Sequence, residues 1–107
     1  MTAGSEGEDM GSGSAAVTGA SLVALSRGVR LREDPVRRQM VLLAPEKAIA
    51  LDEIAVAIVR ALDGTKTLDE IADGFAREFE APKDQVLADI IGFVREFADR
   101  RLLEIST

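Results

Sequence analysis

The 107-residue chain contains neither cysteine nor histidine. The first absence removes disulfides and thiolate nucleophiles; the second removes imidazole acid–base catalysis. Together they exclude Cys/His zinc sites and Ser-His or Cys-His nucleophile pairs. Without cysteine, the redox compartment is not written in the chain. No apolar run approaches the ~20 residues a bilayer-spanning helix needs. No basic stretch followed by an apolar one opens the chain as a secretory signal would. The expectation is a soluble cytoplasmic protein.

An excess of positive charge is also missing. Thirteen Lys and Arg stand against nineteen Asp and Glu, a net charge of -6, and the mean field of such a chain repels phosphate backbones. The cations are nevertheless unevenly placed: Arg27, Arg30, Arg32, Arg37, Arg38 and Lys47 crowd the segment before the first expected helix, and carboxylates dominate after it. That is either a basic face suited to an acidic partner or a set of solvated strand and turn positions. With 47% apolar and 30% charged residues, the length allows one core and is short for two.

Residues 1–26 are rich in Gly, Ser and Ala and lack an aromatic residue, with one short apolar patch at Leu22, Val23 and Leu25. They read as a disordered tail or linker, leaving 27–107 as the folded domain. From Arg27 onward Val29 and Leu31 alternate with Arg30 and Arg32, the period of a half-buried strand. Asp34-Pro35 supplies a turn. Gln39 to Ala44 follows as a strand apolar on both faces, expected in the middle of a small sheet. Pro45 ends it, and Lys47 to Ala50 returns as a third strand.

Helices occupy the rest. Asp52 is a candidate N-cap for a first helix through Ile54, Ala55, Ile58, Val59 and Leu62, closed by Asp63-Gly64. Thr67-Leu68-Asp69-Glu70 has the form of a capping box, opening a second helix through Ile71, Ala72, Phe75 and Phe79. Ala81-Pro82 begins a third, with Pro at its first position, that ends near Asp99. Leu102 to Ile105 is left to pack back or add a short strand. The order β-β-β-α-α-α predicts an α+β, winged-helix-like fold in which a three-helix layer covers one face of a three-stranded antiparallel sheet.

Nothing in this pattern carries catalysis. Asp52, Glu53, Asp69, Glu70, Asp73, Asp84 and Asp89 fall at caps, first turns or outer helix faces, where they complement the helix dipole. Neither a phosphate-binding glycine loop nor a calcium loop is present. The expectation is a protein that is not an enzyme and holds no metal or cofactor. The third helix is more informative. Val86, Leu87, Ile90, Ile91, Phe93, Val94, Phe97 and Ala98 fill an arc of roughly 160°, wider than the ~100° stripe of a core-facing helix. The surplus either packs inward or lines a groove, and the spacing does not choose between the Phe93 and Val86 edge and the Ile91 and Ala98 edge. Beside it, Lys47 to Ala50 as the last strand of a sheet would leave unpaired backbone groups, an edge to be guarded or used for adding a partner's strand.

Three motifs, RLREDPVR from Arg30 to Arg37, VLLAPE from Val41 to Glu46, and LDEIA followed by DG from Leu51 to Gly64, together with FADRRLLE at Phe97 to Glu104, resemble the PqqD family. The likeness covers about residues 27 to 105. It implies a peptide chaperone of pyrroloquinoline quinone biosynthesis, a RiPP recognition element that binds the ribosomal precursor peptide PqqA and presents it to PqqE, a radical SAM enzyme that cross-links a Glu and a Tyr in that peptide. Family versions fused to PqqC are known, and the Gly/Ser-rich start is compatible with a piece of such a linker. In related recognition elements the peptide adds to the third strand and lies against the third helix. Carried over, this implies contacts along Lys47, Ala48, Ile49, Ala50 and Leu51, and with Val86, Asp89, Ile90, Phe93, Val94 and Phe97. Arg37 and Arg38 are candidates for the enzyme-facing surface. A proline at Ile49 or a charge at Phe93 is expected to weaken peptide binding. The alternative is a winged-helix DNA-binding regulator, disfavoured by the acidic balance and by helices without a basic stripe. Self-association through the apolar edge is compatible with the first reading.

Overall fold

The alternation after Arg27 does form a hairpin. In the computed structural model, which describes residues 17–106, strand β2 spans Arg30–Asp34, β3 Gln39–Ala44 and β4 Lys47–Ala50. They make an antiparallel sheet in the order β2-β3-β4. The first turn is built by Asp34, whose Oδ1 accepts from the N–H of Val36 at 3.0 Å and of Arg37 at 3.3 Å. Arg38 completes it in the left-handed region at φ 55°. Pro45 and Glu46 form the second turn, where proline's fixed φ suits the bend and its missing N–H is not needed. Leu42, fully buried at the centre of β3, ties this sheet to the core.

The structure has more strands than the three the sequence pattern predicts. Leu22–Leu25 is β1, Asp63–Thr67 is β5 and Leu103–Ser106 is β6, and they form a second antiparallel sheet ordered β5-β1-β6. Ordered structure therefore starts ahead of the expected boundary at Arg27. Within the expected tail, Val17, Ser21 and Val23 are buried, and β1 is the middle strand of its sheet. Residues 1–16 of that tail lie outside the described residues. The physical reason is that β1 finds partners far along the chain: Leu22 lies opposite both Thr67 and Ser106. Likewise Asp63-Gly64 does more than close a helix, because it opens β5, with Gly64 at φ 82° beside Ala24.

Three helices pack on these sheets: α1 Glu53–Ala61, α2 Leu68–Phe79 and α3 Lys83–Asp99. Asp52 caps α1 by accepting the N–H of Ala55 at 2.7 Å. The capping box of α2 is complete: Thr67 Oγ1 accepts from the N–H of Glu70 at 3.1 Å, and Glu70 Oε1 from the N–H of Thr67 at 2.8 Å. Two further N–H groups of that helix start, on Leu68 and Asp69, donate to the carbonyls of Ser21 and Gly19. The segment ahead of β1 thus finishes the cap. Pro82 stands at the N-cap of α3 rather than inside its first turn. Leu68, Ile90, Val94 and Leu102, each at most 1% exposed, hold the centre of the core. Each such burial contributes about 1.5–3 kcal/mol.

Candidate functional site

Strand β4 is an edge. Its partner β3 occupies one side, and among the described residues no strand occupies the other. The hydrogen-bonding phase follows from register. In an antiparallel ladder, alternate residue pairs exchange backbone bonds; Leu51 donates to the carbonyl of Met40 at 2.9 Å, and Ile49 stands opposite Leu42. Lys47, Ile49 and Leu51 therefore spend their backbone groups on β3, while Ala48 and Ala50 direct theirs outward. Both alanines are exposed, and their methyl groups leave room beside the backbone for another chain. A proline at Ile49 therefore removes a donor of the β3–β4 ladder, whereas Ala48 and Ala50 carry the outward donors.

The helical wall stands next to this edge. A groove of about 370 Å³ opens where β4 passes into α1 and faces α3, lined by Ala50, Leu51, Asp52, Ile54, Ala55, Ile58, Asp89, Phe93 and Phe97. Phe93 and Phe97 stack with ring centroids 4.2 Å apart, and the guanidinium carbon of Arg100 lies 5.8 Å from the Phe97 centroid. The edge of α3 that faces the groove is thus the one carrying Phe93, while Leu87 approaches Gly19 on another side. A second, apolar pocket of about 320 Å³ continues between α1, α2 and α3. Ile54, Ala57, Ile58, Phe75, Phe79, Val86 and Ile90 line it, with Glu53 and Asp89 its charged residues.

The residues expected at the site are not all gathered there. Ala50, Leu51, Asp89, Phe93 and Phe97 line the groove, and Val86 and Ile90 the adjoining pocket. Ile49 is half-buried against the core, and Lys47 lines a separate hollow at the β3–β4 turn together with Arg27, Arg100 and Arg101. Val94 is 0% exposed and lines neither cavity; its side chain belongs to the core and not to the groove. Arg37 and Arg38 are exposed at the tip of the β2–β3 turn, beside Val36, which is 89% exposed. The sequence pattern placed Ile54 and Phe79 in core stripes, yet they are 73% and 62% exposed. Two apolar rows on α1, one through Ile54 and Ile58 and one through Ala55, Val59 and Leu62, were the signal, since one helix face needs only one.

Asp63 is set apart by its chemistry. The hydroxyl and N–H of Thr65 donate to its carboxylate, which holds the group below the usual carboxylate range. It serves the β5 turn and lines none of these cavities. Among the described residues no group of three or more carboxylates is placed to hold a metal ion, and no helix is long and apolar enough to cross a membrane.

Comparison with known proteins adds to the geometry. The family described as "Coenzyme PQQ synthesis protein D (PqqD)" matches residues 39–103. The chain belongs to the PqqD family. A relative from Rhizobium meliloti, named PqqA binding protein, is 58% identical over 89 residues, covering 83% of this chain and 91% of its own. One of the same name from Xanthomonas axonopodis pv. citri is 43% identical, covering 83% and 97%. The solution NMR structure of the PqqD truncation of Methylobacterium extorquens PqqCD, described as a functional and stand-alone RiPP recognition element, superposes with a TM-score of 0.73. It is 40% identical, over 85% of this chain and 97% of that one. The crystal structure of PqqD from Xanthomonas campestris is 42% identical with a TM-score of 0.53, covering 76% and 90%. The α+β architecture of this PqqD-family chain is therefore that of its solved relatives.

Proposed function

We propose that this PqqD-family protein is a non-enzymatic carrier that binds the precursor peptide PqqA as an added strand on β4 and presents it to the radical SAM enzyme PqqE. The observation that carries this reading is the open edge of β4, where Ala48 and Ala50 offer two N–H and two C=O groups beside a groove walled by Phe93 and Phe97. Edge hydrogen bonds give affinity without demanding a folded ligand, and flanking apolar pockets fix which side chains sit where. The relatives named PqqA binding protein and the neighbour described as a RiPP recognition element support the same occupant. The neighbour cut from PqqCD supports association with PqqC. A ribosomal peptide is made in the cytoplasm, and the reading puts the protein there.

Presentation requires a second surface that remains free when the groove is filled. The exposed turn carrying Arg37 and Arg38 meets that condition, and charge reversal there tests it by capture of PqqE.

The decisive experiment is an amide NMR titration of the protein with PqqA. Shifts are expected on residues 48–51 and along the Phe93 edge of α3. Ala48→Pro, which deletes an outward donor, and Phe93→Glu, which puts a charge in the groove, are each expected to weaken binding about tenfold or more. Affinity unchanged in both variants overturns strand addition at this edge.

A further inference from the structure

The groove beside β4 does not end where strand pairing ends. Past Ala50 it shares Ile54, Ile58 and Asp89 with the apolar pocket between α1, α2 and α3, so one extended chain can run from the first into the second. Accepting the strand-addition reading above, on which this inference rests, we propose that the bound peptide continues beyond Ala50 and seats one large apolar side chain, flanked by a lysine or arginine, in the pocket between the three helices.

Three observations select that occupant. The first is the exposed apolar surface: Ile54 at 73% and Phe79 at 62% exposure both line this pocket, and large apolar side chains left this open mark a surface that something covers. Phe75 and Phe79, with centroids 5.9 Å apart and planes tilted by 53°, leave a face and an edge for an inserted aliphatic or aromatic group. The second is size. About 320 Å³ lies at the lower limit of the ~300–1,000 Å³ of small-molecule sites, room for an inserted side chain rather than a large cofactor.

The third is charge. Every charged residue lining the groove and pocket is acidic: Asp52, Glu53 and Asp89. None of the three is in a salt bridge with a described residue. Asp52 is spent on the cap of α1, but the carboxylates of Glu53 and Asp89 beside an apolar hollow attract a cation placed next to the inserted group and disfavour an acidic one. The other end of β4 has the opposite sign: Arg27, Lys47 and Arg101 line the hollow at the β3–β4 turn with Glu46 and with Arg100, which is itself paired with Glu96 at 3.0 Å. The edge is therefore polarised along its length. A peptide whose basic residue accompanies its apolar anchor is held in one direction, with its acidic part toward Lys47.

The test is fluorescence anisotropy with labelled PqqA on the full chain, comparing wild type with Phe79→Glu, Ile54→Glu and Ala48→Pro, each checked by thermal melt. Both glutamates replace exposed side chains, so the fold is expected to hold. Each is expected to weaken PqqA about tenfold, the scale of excluding one large apolar side chain from a pocket. Replacing the peptide's apolar residues one at a time by Asp should find one position, beside a Lys or Arg, whose loss on wild type is not repeated on Phe79→Glu, as coupling requires. Wild-type affinity for both glutamate variants with weakened binding by Ala48→Pro overturns the anchor and leaves strand addition standing. Unchanged binding in all three variants overturns both. If Phe79→Glu abolishes self-association in sedimentation but leaves PqqA binding intact, the pocket belongs to a second copy and the anchor is again overturned.

Discussion

In the sheet β2-β3-β4 every strand pairs with its neighbour in sequence across the turns at residues 35–38 and 45–46, whereas β1 pairs with β5 and β6 across most of the chain. Burial does not divide the same way: Val23 of β1 and Leu42 of β3, each in a middle strand, are both nearly inaccessible, and the outer strands are exposed in both sheets, β4 at three residues of four and β5 at three of five. A sheet of distant partners can close only when the whole chain is folded, and it sits where the helices need a brace. A sheet of local partners forms on its own turns. Long-range pairing here ties the two ends of the described chain together, and local pairing sets the β4 edge beside the groove.

The largest effect expected from that contrast is at β1. A chain beginning at Arg27 lacks the middle strand of its sheet, the buried Val17, Ser21 and Val23, and the carbonyls that receive the N–H groups of Leu68 and Asp69. The loss should exceed the ~5–15 kcal/mol by which a domain of this size is stable. Circular dichroism is expected to show no cooperative melting transition. A transition within a few degrees of the full chain would mean that β5 and β6 do not need β1, and the division between the two sheets would fall.

On the other sheet the contrast can be drawn between adjacent residues. Ile49→Pro removes a ladder donor, orphans a carbonyl on β3 and loosens a side chain packed on the core, at an expected cost of about 3 kcal/mol. Ala48→Pro, one position earlier, removes only a donor that faces away from β3 and should cost less than about 1 kcal/mol. Urea unfolding of the two variants reads the difference directly. Equal destabilisation would mean that the outer edge of β4 is already engaged, for instance by another copy of the chain.

Legibility in the sequence followed the same division. The alternation from Val29 to Arg32, the Asp34-Pro35 turn, the apolar β3 and the two N-caps are local signals, and each led to the right element. The open edge at Lys47–Ala50 was also legible, because a short strand after a tight turn needs no distant information. By contrast, SLVALS among glycines and serines has too few residues to show a period, and DGTKT looks like a helix end followed by a cap. Their identity as strands comes from pairing with each other and with Leu103–Ser106. The wide arc of α3 settled neither whether its surplus lines a groove nor on which side, since both depend on where α1 ends up. The exposure of Phe79 was hidden for the same reason.

The smallest effect expected tests whether sequence distance, rather than region, is what separates these features. Thr67 caps α2 from within the long-range sheet, and Asp52 caps α1 at the end of the local one; each bonds an N–H three residues on, at 3.1 Å and 2.7 Å. If a cap is a local device wherever it sits, Thr67→Ala and Asp52→Ala should each cost about 1 kcal/mol. For a domain near 100 residues, that lowers Tm by roughly 4–8 °C. Thr67 also lies opposite Leu22 in the β1–β5 ladder, but the bond there runs from the N–H of Leu68 to the carbonyl of Ser21 and survives the substitution. A fall for Thr67→Ala several times that for Asp52→Ala would show that its side chain holds the sheet as well as the helix, and that the two sheets differ even in their most local contacts.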